Sequence, residues 1–91
     1  MNIRETYKYI RKNDLHKYNQ KCQISFDIIK FRFCKIVYGY YNEGEIIELK
    51  KKKWLVYTSE RNSIYDQQEF TSESEACVEY LRRLRYFGYI K

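Results

Sequence analysis

The chain has no proline, three glycines and one histidine in 91 residues. Each shortage excludes something. With no proline, few glycines and many aromatics, the composition is the opposite of a disordered one. No apolar stretch approaches the roughly 20 residues that a membrane helix needs. The opening residues, MNIRETYKYIRKND, carry charge throughout, unlike a secretory signal. Cysteine is scarce as well: Cys22, Cys34 and Cys77 are odd in number, far apart and in no C-x-x-C arrangement. That usage fits buried or free thiols in a reducing compartment, so the expected location is the cytoplasm.

The elements of catalysis are missing too. A zinc site takes four N/S ligands, or three plus water, and the spacings of His16 and the cysteines resemble no zinc motif. The sequence holds no G-x-S-x-G, no P-loop and no glycine-rich phosphate cradle. Its acidic residues have simpler explanations than an acid–base pair. Glu73, Glu75 and Glu79 suit the start of a helix, while Asp66 and Glu69 suit an edge strand. No catalytic, metal or cofactor residue is assigned, and the chain is expected not to be an enzyme.

What is present is a dense set of core-forming side chains: 44% hydrophobic residues and 19% aromatic ones, including eleven tyrosines. A chain this short needs bulky side chains to close a core, and residues 1–91 are expected to form a single domain. The net charge is +6 and lies unevenly. Residues 1–53 hold thirteen basic and six acidic side chains, residues 54–91 five and six. A basic excess favours an acidic partner without saying whether it is nucleic acid, anionic lipid or protein.

Periodicity gives an α+β fold. Ile3, Tyr7 and Ile10 fall at helical spacing, and Asn13–Asp14 marks a stop. Residues 15–22 have no period and read as a loop. From Cys22 the period is two, with a slip near residues 28–29 that predicts a bulge or break. CKIVYGYY continues as strand, NEG at 42–44 reads as a hairpin loop with Gly44 left-handed, and EIIELK follows as a short strand. In KWLVYTSE, Trp54, Val56 and Thr58 share one face and Leu55 and Tyr57 the other. ERNS is a turn in which Asn62 can take positive φ, and IYDQQEF is a polar edge strand. The last helix opens with Ser72 and Glu75 as a capping box. It presents Ala76, Cys77, Tyr80, Leu81, Leu84 and Phe87 as one stripe and ends at Gly88. The predicted architecture is an N-terminal helix, an antiparallel meander of four or five strands, and a C-terminal helix packed on one sheet face.

One stretch stands out. Lys50, Lys51, Lys52 and Lys53 run directly into Trp54. As a nucleic-acid grip, the lysines would contact phosphates while Trp54 or a tyrosine stacked on bases. As a solvated connection between two strands, they would need no further role. Trp54 alternates in register with Val56, as a core-facing residue does, and no RNP-like, KH or helix-turn-helix signature is present. The expectation is an exposed connection with Trp54 at least partly buried beside it.

WLVYTSERNSIYDQQEFTSESEACVEYLRRL, residues 54–84, resembles the C-terminal half of a group of small bacterial immunity proteins from polymorphic-toxin and contact-dependent growth inhibition loci. In that group a tryptophan-led, tyrosine-rich strand reaches an S-E-R-G turn. A short strand ending in phenylalanine follows, then a helix with an acidic, serine-containing cap and an E-A dipeptide. The matching positions are Trp54, Tyr57, Ser59–Glu60–Arg61, Phe70 and Ser74–Glu75–Ala76. Asn62 stands where glycine is usual, and asparagine also tolerates the left-handed region. The match covers about a third of the chain, and residues 1–50 match only as a leading helix followed by strands.

The resemblance implies a cytoplasmic, non-enzymatic inhibitor that blocks the active site or an exosite of one cognate toxin domain. The +6 charge points to a toxin with an acidic binding face. The alternative is a local acidic patch on this chain, such as Glu60, Asp66, Glu69 and Glu73. The partner-binding candidates are thus Lys50, Lys51, Lys52, Lys53, Glu60, Arg61, Asp66 and Glu69. A small basic nucleic-acid-binding regulator is the second reading. No membrane partner is expected, and the aromatic surplus leaves a homodimer open.

Overall fold

Asn2 starts the first helix. In the computed structural model, which describes residues 1–15, 22–27, 32–40 and 43–91, α1 spans Ile3–Asn13. The Asn2 side-chain oxygen accepts from the Glu5 amide at 2.8 Å, and the Asn2 amide donates to the Glu5 carboxylate at 3.0 Å. This reciprocal pair satisfies two amides that no helical carbonyl can reach. The buried positions are Ile3, Thr6 and Ile10, with Tyr7 only half-buried. Thr6 displaces Tyr7 from the predicted stripe because its hydroxyl donates to the Asn2 carbonyl at 2.8 Å and so enters the interior satisfied.

Among the described residues five strands follow: β1 (Cys22–Asp27), β2 (Arg32–Tyr40), β3 (Glu43–Lys50), β4 (Lys53–Glu60) and β5 (Ser63–Phe70). Each pairs antiparallel with its neighbour, in the order β1-β2-β3-β4-β5. The predicted slip at residues 28–29 and most of the predicted loop, with His16, lie outside the described residues. Within β1 the pairing shifts between Ser25 and Phe26. Glu43 and Gly44 belong to β3 rather than to a hairpin loop, and Gly44 pairs with Gly39. At Gly44 φ is +126°, and a Cβ would stand 2.1 Å from the Tyr38 carbonyl oxygen. Only glycine fits that approach.

One sheet face carries Ile36, Tyr38, Ile47, Trp54 and Val56, and both helices cover it. Helix α2 (Glu73–Tyr86) packs on β3, β4 and β5, while α1 packs on β2. As expected, Ala76, Cys77, Tyr80, Leu81 and Leu84 join Trp54 and Val56 in one core. Ser72 accepts from the Glu75 amide at 3.2 Å. The return half of the expected capping box is not formed among the described residues. Glu73 instead reaches the Ile3 amide at 2.7 Å, tying the start of α2 to the start of α1. At the other end Arg85 donates to the Tyr9 hydroxyl at 3.1 Å, and the Leu15 amide to the Tyr89 carbonyl at 3.0 Å. The two helices therefore run side by side in the same direction. Gly88, at φ +77°, closes α2 with bonds from its own amide to Arg85 and from the Tyr89 amide to Leu84.

Phe87 departs from the expected stripe. It caps the helix and is exposed, because the chain turns away one residue after Tyr86. The opposite sheet face is not wholly polar either. Val37, Ile46 and Tyr57 are buried there beside Leu55, and the Tyr57 hydroxyl donates to Glu48 at 2.8 Å. Cys77 is buried and Cys34 half-buried. No helix of the described residues is long and apolar enough to cross a membrane.

Candidate functional site

The lysine run is the turn between β3 and β4. Lys51 and Lys52 have φ of 52° and 68°, the double left-handed geometry of a tight type I′ hairpin turn. All four lysines are exposed, and Trp54 beside them is buried, as expected. Lys53 meets Glu69 at 3.3 Å, an exposed pair on neighbouring strands that contributes little to stability.

Glu60 and Arg61 lie at the far end of the same strand. Arg61 and Asn62, with φ of 50° and 65°, turn β4 into β5, and the Arg61 amide donates to the Glu43 carboxylate at 3.2 Å. Seven residue steps along β4 separate Glu60 from Lys53, about 23 Å at strand rise. Glu69 therefore groups with the lysines, Glu60 with Arg61, and Asp66 lies between them on β5. The candidates do not form one patch.

Asp66 is the position with unusual local structure. Val56 pairs with Gln68 and Thr58 with Tyr65, so Tyr57 alone faces both Asp66 and Gln67. The extra residue makes a β-bulge, and Asp66 occupies the left-handed region at φ 53°. The kink turns the Asp66 carbonyl toward α2, where it accepts from Arg83 Nη2 at 2.6 Å.

Arg83 is the central side chain beneath this bulge. It is buried to 7% exposure, and its Nε donates to Glu79 at 2.8 Å. Arg82 grips the same carboxylate with two bonds of 2.7 and 2.8 Å. The hydrogen bond from Arg82, opposed by burial and reinforced by Arg83, holds the Glu79 carboxyl down at about 2. Arg83 Nη1 is buried with no hydrogen-bond partner among the described residues. Below it lies Glu45, 4% exposed, whose carboxylate accepts the Thr58 hydroxyl at 2.8 and 3.0 Å. Burial pushes the Glu45 carboxyl above its ordinary range, while Thr58 and Arg83 pull the other way.

Over this polar layer opens a depression of about 320 Å³ between β5 and the second half of α2. Thr58 and Gln68 form its sheet wall, Glu79, Arg82 and Arg83 its helix wall, and Asp66 the bulge side. Tyr86 and Phe87 stand at its rim, 79% and 46% exposed, in edge contact with ring centroids 5.4 Å apart. Exposed aromatics beside arginines are the side chains that most often anchor protein interfaces.

Of these residues sequence reasoning singled out Asp66 and missed Glu45, Arg83, Tyr86 and Phe87 as a group. A signal for Arg83 existed: it is three residues from Tyr80 and seven from Ala76, on the buried helix face. Its charge suits equally the negative end of the helix dipole, which masks the signal. No group of three or more His, Cys, Asp or Glu residues placed to hold a metal ion occurs among the described residues. Comparison of the chain with protein-family models, with curated proteins and with solved structures finds no match.

Proposed function

We propose that this chain is an immunity protein that neutralises a cognate bacterial toxin domain in the cytoplasm by binding it and covering its active site or an exosite. The observation that carries this reading is the resemblance of Trp54–Leu84, which corresponds to the β4–β5–α2 unit. That unit also offers a surface suited to a protein partner. Strand β5 is exposed from Ser63 to Glu69 at the edge of the sheet, and the Tyr86–Phe87 rim with Arg82 adjoins it. The proposed task is binding, and it asks no chemistry of the chain. Nanomolar neutralisation takes about −12 kcal/mol, and an interface of ordinary size covers roughly 800 Å² per partner. Against a total surface of 6286 Å², such a contact has room on the β5–α2 side.

The test is capture of the C-terminal domain of the toxin encoded beside this protein, followed by titration calorimetry. A stable one-to-one complex that suppresses toxicity is the expected result. Absence of any complex with that domain ends the proposal.

The exposed Lys50–Lys53 turn favours the second reading, a small basic nucleic-acid-binding regulator. It lacks one ingredient there: Trp54 is buried in the core and is not presented for stacking on a base.

A further inference from the structure

Arg82 and Arg83 share one carboxylate, and each keeps one nitrogen unpaired. Glu79 takes both Nε groups and the Arg82 Nη2, while the Arg83 Nη2 goes to the Asp66 carbonyl. Neither Nη1 meets an acceptor among the described residues. For Arg82 this costs little, because its side chain is 62% exposed and open to water. The Arg83 side chain is only 8% exposed and its Nη1 is buried. A buried donor on a charged group loses its hydration and here gains nothing in return.

The neighbouring acids do not complete the pairing. Glu79 already accepts three hydrogen bonds. Glu45, beneath Arg83 and outside the lining of the depression, is bonded to Thr58 and pushed by burial toward its neutral form. Asp66 meets Arg83 through its main-chain oxygen, and no ion pair joins its carboxylate to either arginine among the described residues. Arg82 and Arg83 both line the depression of about 320 Å³ between β5 and α2, room for one side chain. Reaching the Arg83 Nη1 requires the rim to shift, and Tyr86, 79% exposed, has the space to do so. A planar carboxylate is the acceptor that guanidinium groups match best. Asp66 on the bulge side limits the charge that can enter, favouring a single negative charge over a doubly charged phosphate.

We propose that this depression receives a carboxylate side chain, aspartate or glutamate, of the protein partner, bound by the unpaired Nη1 groups of Arg82 and Arg83 and enclosed by Tyr86 and Phe87. The inference rests on the partner-binding reading and specifies the chemistry of one contact within it. Binding gives the Arg83 Nη1 the acceptor that it lacks in the free chain. The net charge of +6 favours a partner face rich in such groups, and aromatics beside arginines are the usual setting for an interface anchor.

The experiment is an NMR titration of the full chain with N-acetyl-glutamate amide, its neutral counterpart N-acetyl-glutamine amide, N-acetyl-arginine amide and inorganic phosphate. The glutamate probe is expected to shift the Gln68, Arg82, Arg83 and Tyr86 amides and the Arg83 guanidinium resonances. The glutamine and arginine probes are expected to leave them in place, and phosphate to act more weakly than glutamate. Arg82→Gln lies on the surface and is expected to weaken the glutamate probe about tenfold. Asp66→Asn removes a like charge, keeps a side chain that tolerates the left-handed region, and is expected to strengthen the probe about threefold. Arg83→Met is expected to abolish binding; should that variant not fold, the other two decide. No shift with glutamate, equal shifts with glutamine, or glutamate binding that Arg82→Gln leaves intact overturns the proposal. Tighter binding of phosphate than of glutamate overturns the carboxylate assignment. The probes require no toxin, so their failure leaves the immunity reading standing, and failure to capture a toxin does not alter what they report.

Discussion

The Tyr80 hydroxyl donates to the main-chain carbonyl of Glu45 at 2.7 Å, joining α2 to the middle strand of the sheet. Tyr80 is fully buried, so water cannot replace the bond. Tyr80→Phe keeps the ring and its packing and leaves the buried carbonyl short of a donor. The expected loss is about 1–3 kcal/mol, read from urea unfolding with an unchanged slope. A change below 0.5 kcal/mol, on the same scale, would show that the helix docks by apolar contact alone.

Leu81 lies in the core cluster with Trp54 and Val56 at 3% exposure. Leu81→Ala removes three carbons from a close-packed site and is expected to cost about 2–5 kcal/mol. Thermal unfolding checks it. A variant that melts with the wild type would mean that α2 does not hold the sheet through this face.

The contrast between these two residues shows what the sequence makes legible. Leu81 belongs to a stripe of apolar residues at helical spacing, a one-dimensional pattern, and its partners follow from the period-two pattern of β4. The order of strands follows likewise from short connections between alternating segments. Tyr80 was legible as core, but its bond to Glu45 was not, because 35 residues separate them. The buried charges Glu45 and Arg83 fail for the same reason: each is tolerable inside only because strands and helix bring Thr58, Glu79 and the Asp66 carbonyl to it. Periodicity places apolar residues individually, whereas a buried polar residue is placed by its partners. The pocket above them shares that origin, since the bulge at Asp66 is a mismatch in register between two strands and leaves no mark in β5 alone.

Glu79 and Glu45 give the acid limb of stability two opposing contributions. Glu79 is held at about 2 against an ordinary 4.5, first by its bond from Arg82. A carboxyl depressed by folding stabilises the fold above pH 4.5 and loses that contribution as pH falls toward 2. Glu45 is raised above 4.5, chiefly by burial. The unfolded chain releases that proton first, so Glu45 lowers stability as pH climbs from 4.5 through its folded value. Glu79→Gln is therefore expected to shrink the loss of stability between pH 4.5 and 2. Glu45→Gln, still able to accept from Thr58, is expected to gain on the wild type as pH rises toward neutrality. Urea midpoints across this range decide both. An acid limb for Glu79→Gln that parallels the wild type removes the ion pair from the account.

The lysine turn separates geometry from charge in a single variant. Lys51 and Lys52 both sit in the left-handed region, which costs an L-residue about 1–2 kcal/mol at each position. Asn-Gly is the pair that a type I′ turn prefers. Replacing Lys51→Asn together with Lys52→Gly should raise stability by roughly 1 kcal/mol or more while removing half of the lysine run. If four lysines neutralised duplex phosphates, log K would fall with log salt at a slope near −3 to −4, and the double substitution would halve it. A solvated turn instead binds nucleic acid weakly and only at low salt, with or without the substitution. Fluorescence anisotropy on duplex and single strands, from low to physiological salt, distinguishes the two. A stabilised variant with unchanged weak binding is the expected outcome. Submicromolar binding at physiological salt that the substitution weakens would favour the nucleic-acid regulator. Loss of toxin neutralisation in the stabilised variant would place this turn on the toxin-facing surface, at the opposite end of β4 from Glu60 and Arg61.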